Sequence, residues 1–296
     1  MTSCNRCTLC IPLLLLGAAS LAAQSAQPQP AAPVPGYTLA WSDEFDQGKL
    51  DATRWNYRTD SKHWSTQTPA NVHVEGGNLV IDLKKAQAAG KEYTGGGVIS
   101  QRAFGHGYYE SRFRIRAGKG WHSSFWMMKH DGSGGTETAG ADLELDVIEN
   151  DSVNLNLYGV NTHRWKGEHL ATGHRAVTTD SLAEFHVFGC EYTASEARYF
   201  LDGRLVQTTD ISSFPQGDLH IWLTSIASGL GKTDAVDESR LPGRVEYDYV
   251  RFYLPDTARA PAGRATDGPA AEAAAPANLS LNGEWLFTTD PQHAGE

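Results

Sequence analysis

The stretch Tyr108-Tyr109-Glu110-Ser111-Arg112-Phe113-Arg114-Ile115-Arg116 alternates residue by residue. Tyr109, Ser111, Phe113 and Ile115 fall on one parity, and Glu110, Arg112, Arg114 and Arg116 on the other. A β-strand turns successive side chains to opposite faces, so this period of two marks a strand with one face on a core. The same pattern returns on both sides. Upstream, Val72-His73-Val74-Glu75, a Gly76-Gly77-Asn78 turn and Leu79-Val80-Ile81-Asp82-Leu83 predict a hairpin. Downstream, Ala197-Arg198-Tyr199-Phe200-Leu201 leads into an Asp202-Gly203 turn, and Val245 to Tyr253 alternates again. Strands this frequent, with no long segment of 3.6-residue period and no internal repeat, predict an all-β fold, an antiparallel β-sandwich.

Composition agrees. The 296 residues include 30 Gly, 8 Trp and 11 Tyr, a balance that suits strands, turns and an aromatic-lined surface. Forty per cent hydrophobic residues suffice for a packed core and exclude global disorder. With 25 Lys+Arg against 35 Asp+Glu, the formal charge of -10 argues against a nucleic-acid binder, which needs a basic face to displace counterions.

The first residues read as a processing segment. Arg6 precedes an apolar run, Ile11 to Ala19, and small residues follow to Ala23, the pattern of an export signal spanning 1–23. The run is shorter than the roughly 20 residues a bilayer span needs, so no membrane span is predicted and the mature protein is expected to be secreted or periplasmic. An uncleaved N-terminal anchor is the alternative. Cys4, Cys7 and Cys10 fall within this signal, so their C-x-x-C-x-x-C spacing reads as incidental to export rather than as a metal site. Only Cys190 remains afterwards. It cannot make an internal disulfide and reads as a buried small hydrophobe. Residues 24–35 form a Pro/Ala-rich tether, 36–255 the β-sandwich, 256–277 an Ala/Pro linker, and 278–296 the start of a second domain or a tail.

The chemistry concentrates in Asp142-Leu143-Glu144-Leu145-Asp146-Val147-Ile148-Glu149-Asn150. In a strand, Glu144 and Asp146 share a face while Leu143, Leu145 and Val147 enter the core. By parity Glu149 would point away, but a β-bulge between Asp146 and Glu149 would return it to the acidic face. Four strand steps, about 13 Å, then separate the two glutamate Cα atoms. Inward-leaning side chains could close the carboxyl groups toward the ~5–5.5 Å of a retaining glycosidase, against ~6.5–9.5 Å for an inverting one. Three carboxylates on one face repel one another and raise the pKa of at least one of them. Such a pattern admits three readings: catalysis, a divalent-cation site, or a solvated acidic face.

Glu144-Leu145-Asp146-Val147-Ile148-Glu149 resembles the bulged E-x-D-x-x-E signature of glycoside hydrolase family 16. Trp41-Ser42-Asp43-Glu44-Phe45-Asp46 with Leu50-Asp51 and Trp55 resembles that family's opening strand. Gly97-Val98-Ile99-Ser100 and Gly107 to Arg112 resemble its "G-x-I-S … yG-yyE-aR" segment. Trp121 to Trp126 (WHSSFW) stands where members usually carry W-P-A-F-W, with His122 at the Pro position. Tyr199 to Gly203 and Tyr247 to Arg251 resemble a later strand pair. The resemblance covers about residues 37–255.

It implies a concanavalin-like jelly roll with a glycan cleft, and hydrolysis of O-glycosyl bonds in a β-linked polysaccharide with retention. Glu144 would be the nucleophile, Glu149 the acid/base, and Asp146 would hydrogen-bond Glu144. Trp121 and Trp126 would offer ring faces to sugars, with core packing as the alternative for each. His163 matches a family histidine near the carboxylates, and an ordinary loop histidine is the alternative. Arg102 and Glu110 are candidate cleft residues that could equally form a cross-strand ion pair. No cofactor is required, a structural calcium ion near Glu44 and Asp248 is compatible with the acids there, and the protein is expected to be monomeric.

Departures from the family pattern bear on substrate. Gly140-Ala141-Asp142-Leu143 replaces the usual W-P-x-x-G lead-in of β-glucan-cleaving members, after a Gly- and Thr-rich loop from Asp131 to Gly140. Ile221 to Ala227 replaces their L-N-L-A-V-G-G strand. Both shift weight from β-1,3-glucan toward agar- or carrageenan-like galactans. No basic cluster is evident along the chain, which disfavours a heavily sulfated galactan. At the C-terminus, Leu279-Ser280-Leu281-Asn282-Gly283-Glu284-Trp285-Leu286-Phe287 resembles the opening strand of the sugar-binding domain of family 2 glycosidases, as if a longer chain had been truncated. Besides the hydrolase, a non-catalytic lectin and a transglycosylase on the same scaffold stay open. Asn150-Asp151-Ser152 and Asn278-Leu279-Ser280 match the glycosylation sequon.

Overall fold

The computed structural model describes Met1 and residues 34–132, 143–165 and 167–256. The expected export signal and most of the tether, Asp142 with the loop before it from residue 133, the linker from residue 257, and the segment 278–296 with its sequon lie outside these residues. Among the described residues no helix is long and apolar enough to cross a membrane.

Among the described residues seventeen strands follow in order: β1 (Tyr37–Asp43), β2 (Trp55–Tyr57), β3 (Ser61–Lys62), β4 (Ser65–Gln67), β5 (Val72–Glu75), β6 (Asn78–Ala88), β7 (Lys91–Ser100), β8 (Gly107–Arg116) and β9 (Trp121–Met128). The rest are β10 (Leu143–Asn150), β11 (Leu157–Arg164), β12 (Leu170–Thr178), β13 (His186–Tyr192), β14 (Glu196–Leu201), β15 (Arg204–Asp210), β16 (His220–Ala227) and β17 (Gly243–Pro255). The predicted hairpin is β5–β6, and every other alternating run named above is a strand.

The strands form a jelly-roll-like sandwich. One sheet runs β15-β14-β13-β8-β17-β6-β5, with β1 also on β17. The other runs β12-β11-β10-β9-β16-β7-β2. Beyond these, β6 pairs with β7 and β4 lies parallel to β7, so hydrogen bonding passes from one sheet to the other.

The alternation that predicts β8 also builds the core. Tyr109, Phe113 and Ile115 are buried between the sheets, and the Phe113 ring lies 4.7 Å from both Phe188 and Tyr247. Burial of each such side chain contributes about 1.5–3 kcal/mol. On the other face of β8, Arg114 forks onto Glu246 and Arg112 reaches Asp248, both guanidinium groups lying over Phe185. Gly189 stands within β13 for a steric reason: a Cβ there would stand 2.0 Å from the Tyr108 hydroxyl. Cys190 beside it is fully buried, and burial pushes its thiol pKa well up, so it behaves as the expected small hydrophobe.

Strand β9 pairs with β16 in unbroken register, so its faces alternate strictly. Trp121, Phe125 and Met127 point into the core, while His122, Ser124 and Trp126 point to the opposite face of the sheet. That second face carries a smaller apolar cluster of Ile99, Trp126, Met128 and Trp222, with Trp165 packed against it.

Candidate active site

Strand β10 lies between β9 and β11 in the middle of the second sheet. Against β11, Glu144 pairs with His163 and Asp146 with Asn161, after which the next pair is Glu149 with Gly159. Three residues on β10 therefore answer two on β11. Against β9 the slip lies between Asp146 and Ile148. This is the expected bulge, and Val147 and Ile148 are both buried within it. The extra residue returns Glu149 to the face of Glu144 and Asp146, and all three carboxylates line one cleft.

The other cleft residues converge from separate elements: Arg58, Lys62 and His63 from the β2–β4 region, His122, Ser124 and Trp126 from β9, and Thr224 from β16. His163 on β11 and Trp165 just beyond it close the opposite side. The Trp165 indole N–H donates to Glu144 Oε2 at 3.0 Å, and its ring stacks on His169 at 3.9 Å. His163 Nε2 lies 3.3 Å from Asp146 Oδ2, and His163 Nδ1 lies 2.9 Å from His169 Nε2. Across the cleft, His122 Nε2 lies 3.3 Å from Glu149 Oε1 while its Nδ1 meets Asp151 Oδ1 at 2.8 Å.

Burial and mutual charge set the protonation pattern. Burial, then the Asp146 charge, pushes Glu144 up to about 8, against the opposing pull of His163 and the Trp165 bond. Burial and the Glu149 charge hold Asp146 well above its ordinary value. Burial would raise Glu149 too, but the bond and charge of His122 outweigh it and lower its pKa. His122 itself would be pushed down by burial, yet its bonds to Asp151 and Glu149 raise it to about 10. Glu144 and Asp146 are thus pushed up while Glu149 is pulled down, and carboxyl groups separated in pKa can take distinct roles. Ligand atoms of Glu144, Asp146 and His163 lie within 4.8 Å of one another, so the spacing alone would also admit a cation.

Of the sequence-predicted site residues, Glu144, Asp146, Glu149, Trp126 and His163 line the cleft. Trp126 is mostly buried, donates from its indole N–H to Thr224 Oγ1 at 3.0 Å, and lies against Trp222 at 4.6 Å. Three residues do not belong there. Trp121 lies five positions before Trp126 and so faces the other way, fully buried and edge-on to Tyr93. Glu110 sits on β8 in the other sheet, accepting from the Tyr249 hydroxyl at 2.9 Å. Arg102 follows β7, with its guanidinium over Phe104 at 5.1 Å. Glu110 lies 4.0 Å from Arg251 rather than pairing with Arg102.

The acids named for calcium are both engaged by arginines: Glu44 accepts a two-pronged bond from Arg251, and Asp248 accepts from Arg112. The sequon at Asn150 is closed to a glycan, since Asn150 is buried and its amide donates to the Asn154 and Leu157 carbonyls.

Sequence reasoning missed Arg58, Lys62, His63, His122, Asp151 and Trp165 as members of the site. For His122 the signal was present, because it shares parity with Ser124 and Trp126 on β9. The basic residues carry no such signal, since short strands and turns bring them to the cleft, where Arg58 forks onto Asp60.

A jelly-roll sandwich with paired carboxylates in a central cleft is an arrangement suited to glycoside hydrolysis. Residues 38–255 match the sequence family described as beta-porphyranase A–D, GH16 domain, and the chain belongs to this branch of glycoside hydrolase family 16. It is 28% identical over 245 residues to a beta-glucanase of Rhodothermus marinus, covering 74% of this chain and 86% of that protein. It is 27% identical over 238 residues to a keratan-sulfate endo-1,4-beta-galactosidase of Sphingobacterium multivorum, covering 73% of this chain and 55% of that one. Among solved structures, a variant of SCLam, a non-specific endo-beta-1,3(4)-glucanase from the same family, superposes with a TM-score of 0.67 at 27% identity, covering 76% of this chain and 98% of that one.

Proposed function

We propose that this glycoside hydrolase is an exported, endo-acting and retaining enzyme whose substrate is a β-linked galactan of the agar class, porphyran included. Glu144 attacks the anomeric carbon while Glu149 protonates the departing oxygen, so that a covalent glycosyl-enzyme forms and the aglycone leaves. Glu149 then takes a proton from water, whose oxygen displaces Glu144 from the anomeric carbon. Asp146 keeps a proton beside Glu144, and the ionised form of Glu144 is the attacking carboxylate. The observation that carries this reading is the bulge in β10, which gathers all three acids on one face.

Two things favour a galactan over a β-1,3-glucan. The matching family is described by porphyranase activity, and one relative is named as an endo-β-galactosidase.

Reducing-sugar release from agarose, porphyran, carrageenan, laminarin and mixed-linkage glucan tests the proposal, with Glu144→Gln as control. Release from agarose or porphyran that is lost in the variant is the expected result. Release confined to laminarin or mixed-linkage glucan would overturn the substrate, and activity retained by Glu144→Gln would overturn the nucleophile.

A further inference from the structure

His122 stands on the cleft face of β9 with both ring nitrogens engaged by acids, Nδ1 with Asp151 Oδ1 at 2.8 Å and Nε2 with Glu149 Oε1 at 3.3 Å. Only 12% of its side chain is exposed. With Asp151 and Glu149 both ionised, both ring nitrogens must carry protons to satisfy them, and the lowered pKa of Glu149 favours that state. We propose that His122 stores the proton that Glu149 delivers to the leaving oxygen, so that the general acid is the chain Asp151–His122–Glu149 and Glu149 is its last member. This rests on the assignment of Glu149 as acid above.

The step balances simply. In the empty cleft the imidazolium faces an ionised Glu149. As the glycosidic C–O bond breaks and Glu144 bonds to the anomeric carbon, one proton passes from His122 to the Glu149 carboxyl and from there to the leaving oxygen. The neutral imidazole keeps its Nδ1 proton on Asp151. When water resolves the intermediate, its proton returns to Glu149 and on to His122. His122 is a positioning residue in this scheme, acting through Glu149.

The other charged groups around the pair do not substitute for Asp151. Asp146 keeps its own proton. His63, on the turn between β3 and β4, has its pKa lowered first by burial and then by Lys62 and His122, and it is neutral. His163 on β11 and His174 on β12 act on Glu149 only through their charge. A lone carboxylic acid would lose its proton at a lower pH than this chain, because His122 is held up to about 10.

The proposal is tested in the full protein by two readouts. The first is a pH titration of His122 by nuclear magnetic resonance with histidine-labelled protein, its signal assigned by its loss in His122→Gln. The imidazole should stay protonated through pH 8 in the parent and titrate closer to the ordinary 6.5 in Asp151→Asn. The second is the pH profile of kcat/KM. Both Asp151→Asn and His122→Gln should move the alkaline limb on polymer by about one pH unit or more toward acid, roughly a tenfold loss at pH 8.5 relative to pH 6. An aryl glycoside whose leaving group needs no proton should lose less than about threefold.

A neutral His122 at pH 7.5, or an alkaline limb that stays in place in Asp151→Asn, overturns the proposal, and the latter variant serves even if His122→Gln does not fold. Glu149→Ala separates this failure from that of the underlying assignment. If that variant keeps polymer activity, Glu149 is not the acid, and the role of His122 falls with it. If it loses polymer activity but keeps the aryl substrate, while the two other variants keep the parental limb, only the role of His122 is wrong.

Discussion

The indole N–H of Trp165 donates to Glu144 Oε2 at 3.0 Å, from a ring held flat against His169 at 3.9 Å. A donor aimed at a buried carboxylate favours its charged form, and this bond opposes the upward push that burial and Asp146 exert on Glu144. The stack fixes the donor, and the donor favours the ionised form of Glu144, the proposed nucleophile.

Trp165→Phe keeps an aromatic ring in place and removes the donor. Glu144 then titrates above its present value of about 8, so less of it is ionised at neutral pH. The acid limb of kcat/KM should move to higher pH, and kcat should fall about tenfold at pH 7, a loss near 1.4 kcal/mol, with KM little changed. Steady-state kinetics from pH 5 to 9 check this. A fall in kcat with an unmoved acid limb would place the effect in packing.

Glu144→Gln should stabilise the protein at alkaline pH. The folded pKa of Glu144 is raised, so the parent binds this proton more tightly folded than unfolded. That contribution is full below pH 4.5 and is lost as pH rises through about 8. Glutamine cannot ionise and avoids the loss. Urea unfolding should show the variant about 1–3 kcal/mol more stable than the parent at pH 9, with the difference shrinking toward pH 4.5. Equal stability at both values would mean that Glu144 is not strained by burial.

The two tryptophans of β9 should behave oppositely. Trp121→Ala opens a cavity in the core and should cost about 3–5 kcal/mol of stability. Where the variant stays folded at low temperature, its KM should change little. Trp126→Ala removes part of the cleft floor and should raise KM for polymer severalfold. Thermal unfolding and Michaelis–Menten kinetics on the same preparations compare them, and a large KM effect at Trp121 would put that ring at the substrate after all.

These two residues also mark how far the sequence could be read. Alternation alone located β5, β6, β8, β14 and β17, and in the run from Glu144 to Glu149 the acid at the wrong parity marked where a bulge would gather the three carboxylates. The same rule, applied to β9, separates Trp121 from Trp126 and puts His122 on the cleft face, since residues five apart on an unbroken strand point opposite ways. Residue type drew attention to Trp121, and parity excludes it. Glu110 misleads for another reason: its strand belongs to the other sheet, which no local pattern reveals. Arg58, Lys62 and Asp151 reach the site through turns and sheet pairing between distant segments, and those contacts exist only once the chain is folded.

Glu149→Ala should reduce kcat/KM on polymer by about 10²–10⁴-fold while sparing kcat/KM, though not kcat, for a substrate whose leaving group needs no proton, because the glycosyl-enzyme is left without its base. Azide, small enough to fill the space left by the carboxyl group, should restore turnover of that activated substrate and yield a glycosyl azide of the same anomeric configuration as the substrate. Chromatography and proton magnetic resonance of the product decide the matter, and an azide product of opposite configuration would mean single displacement.

The central claim is that Glu144 bonds covalently to the sugar. The most direct measurement is the intact mass of the protein after incubation with an activated 2-deoxy-2-fluoro glycoside of the oligosaccharide it releases, followed by peptide mapping. A single added glycosyl mass on the peptide carrying Glu144, absent in Glu144→Gln, is the predicted result. An adduct on Glu149, or none alongside product of inverted configuration, would contradict it.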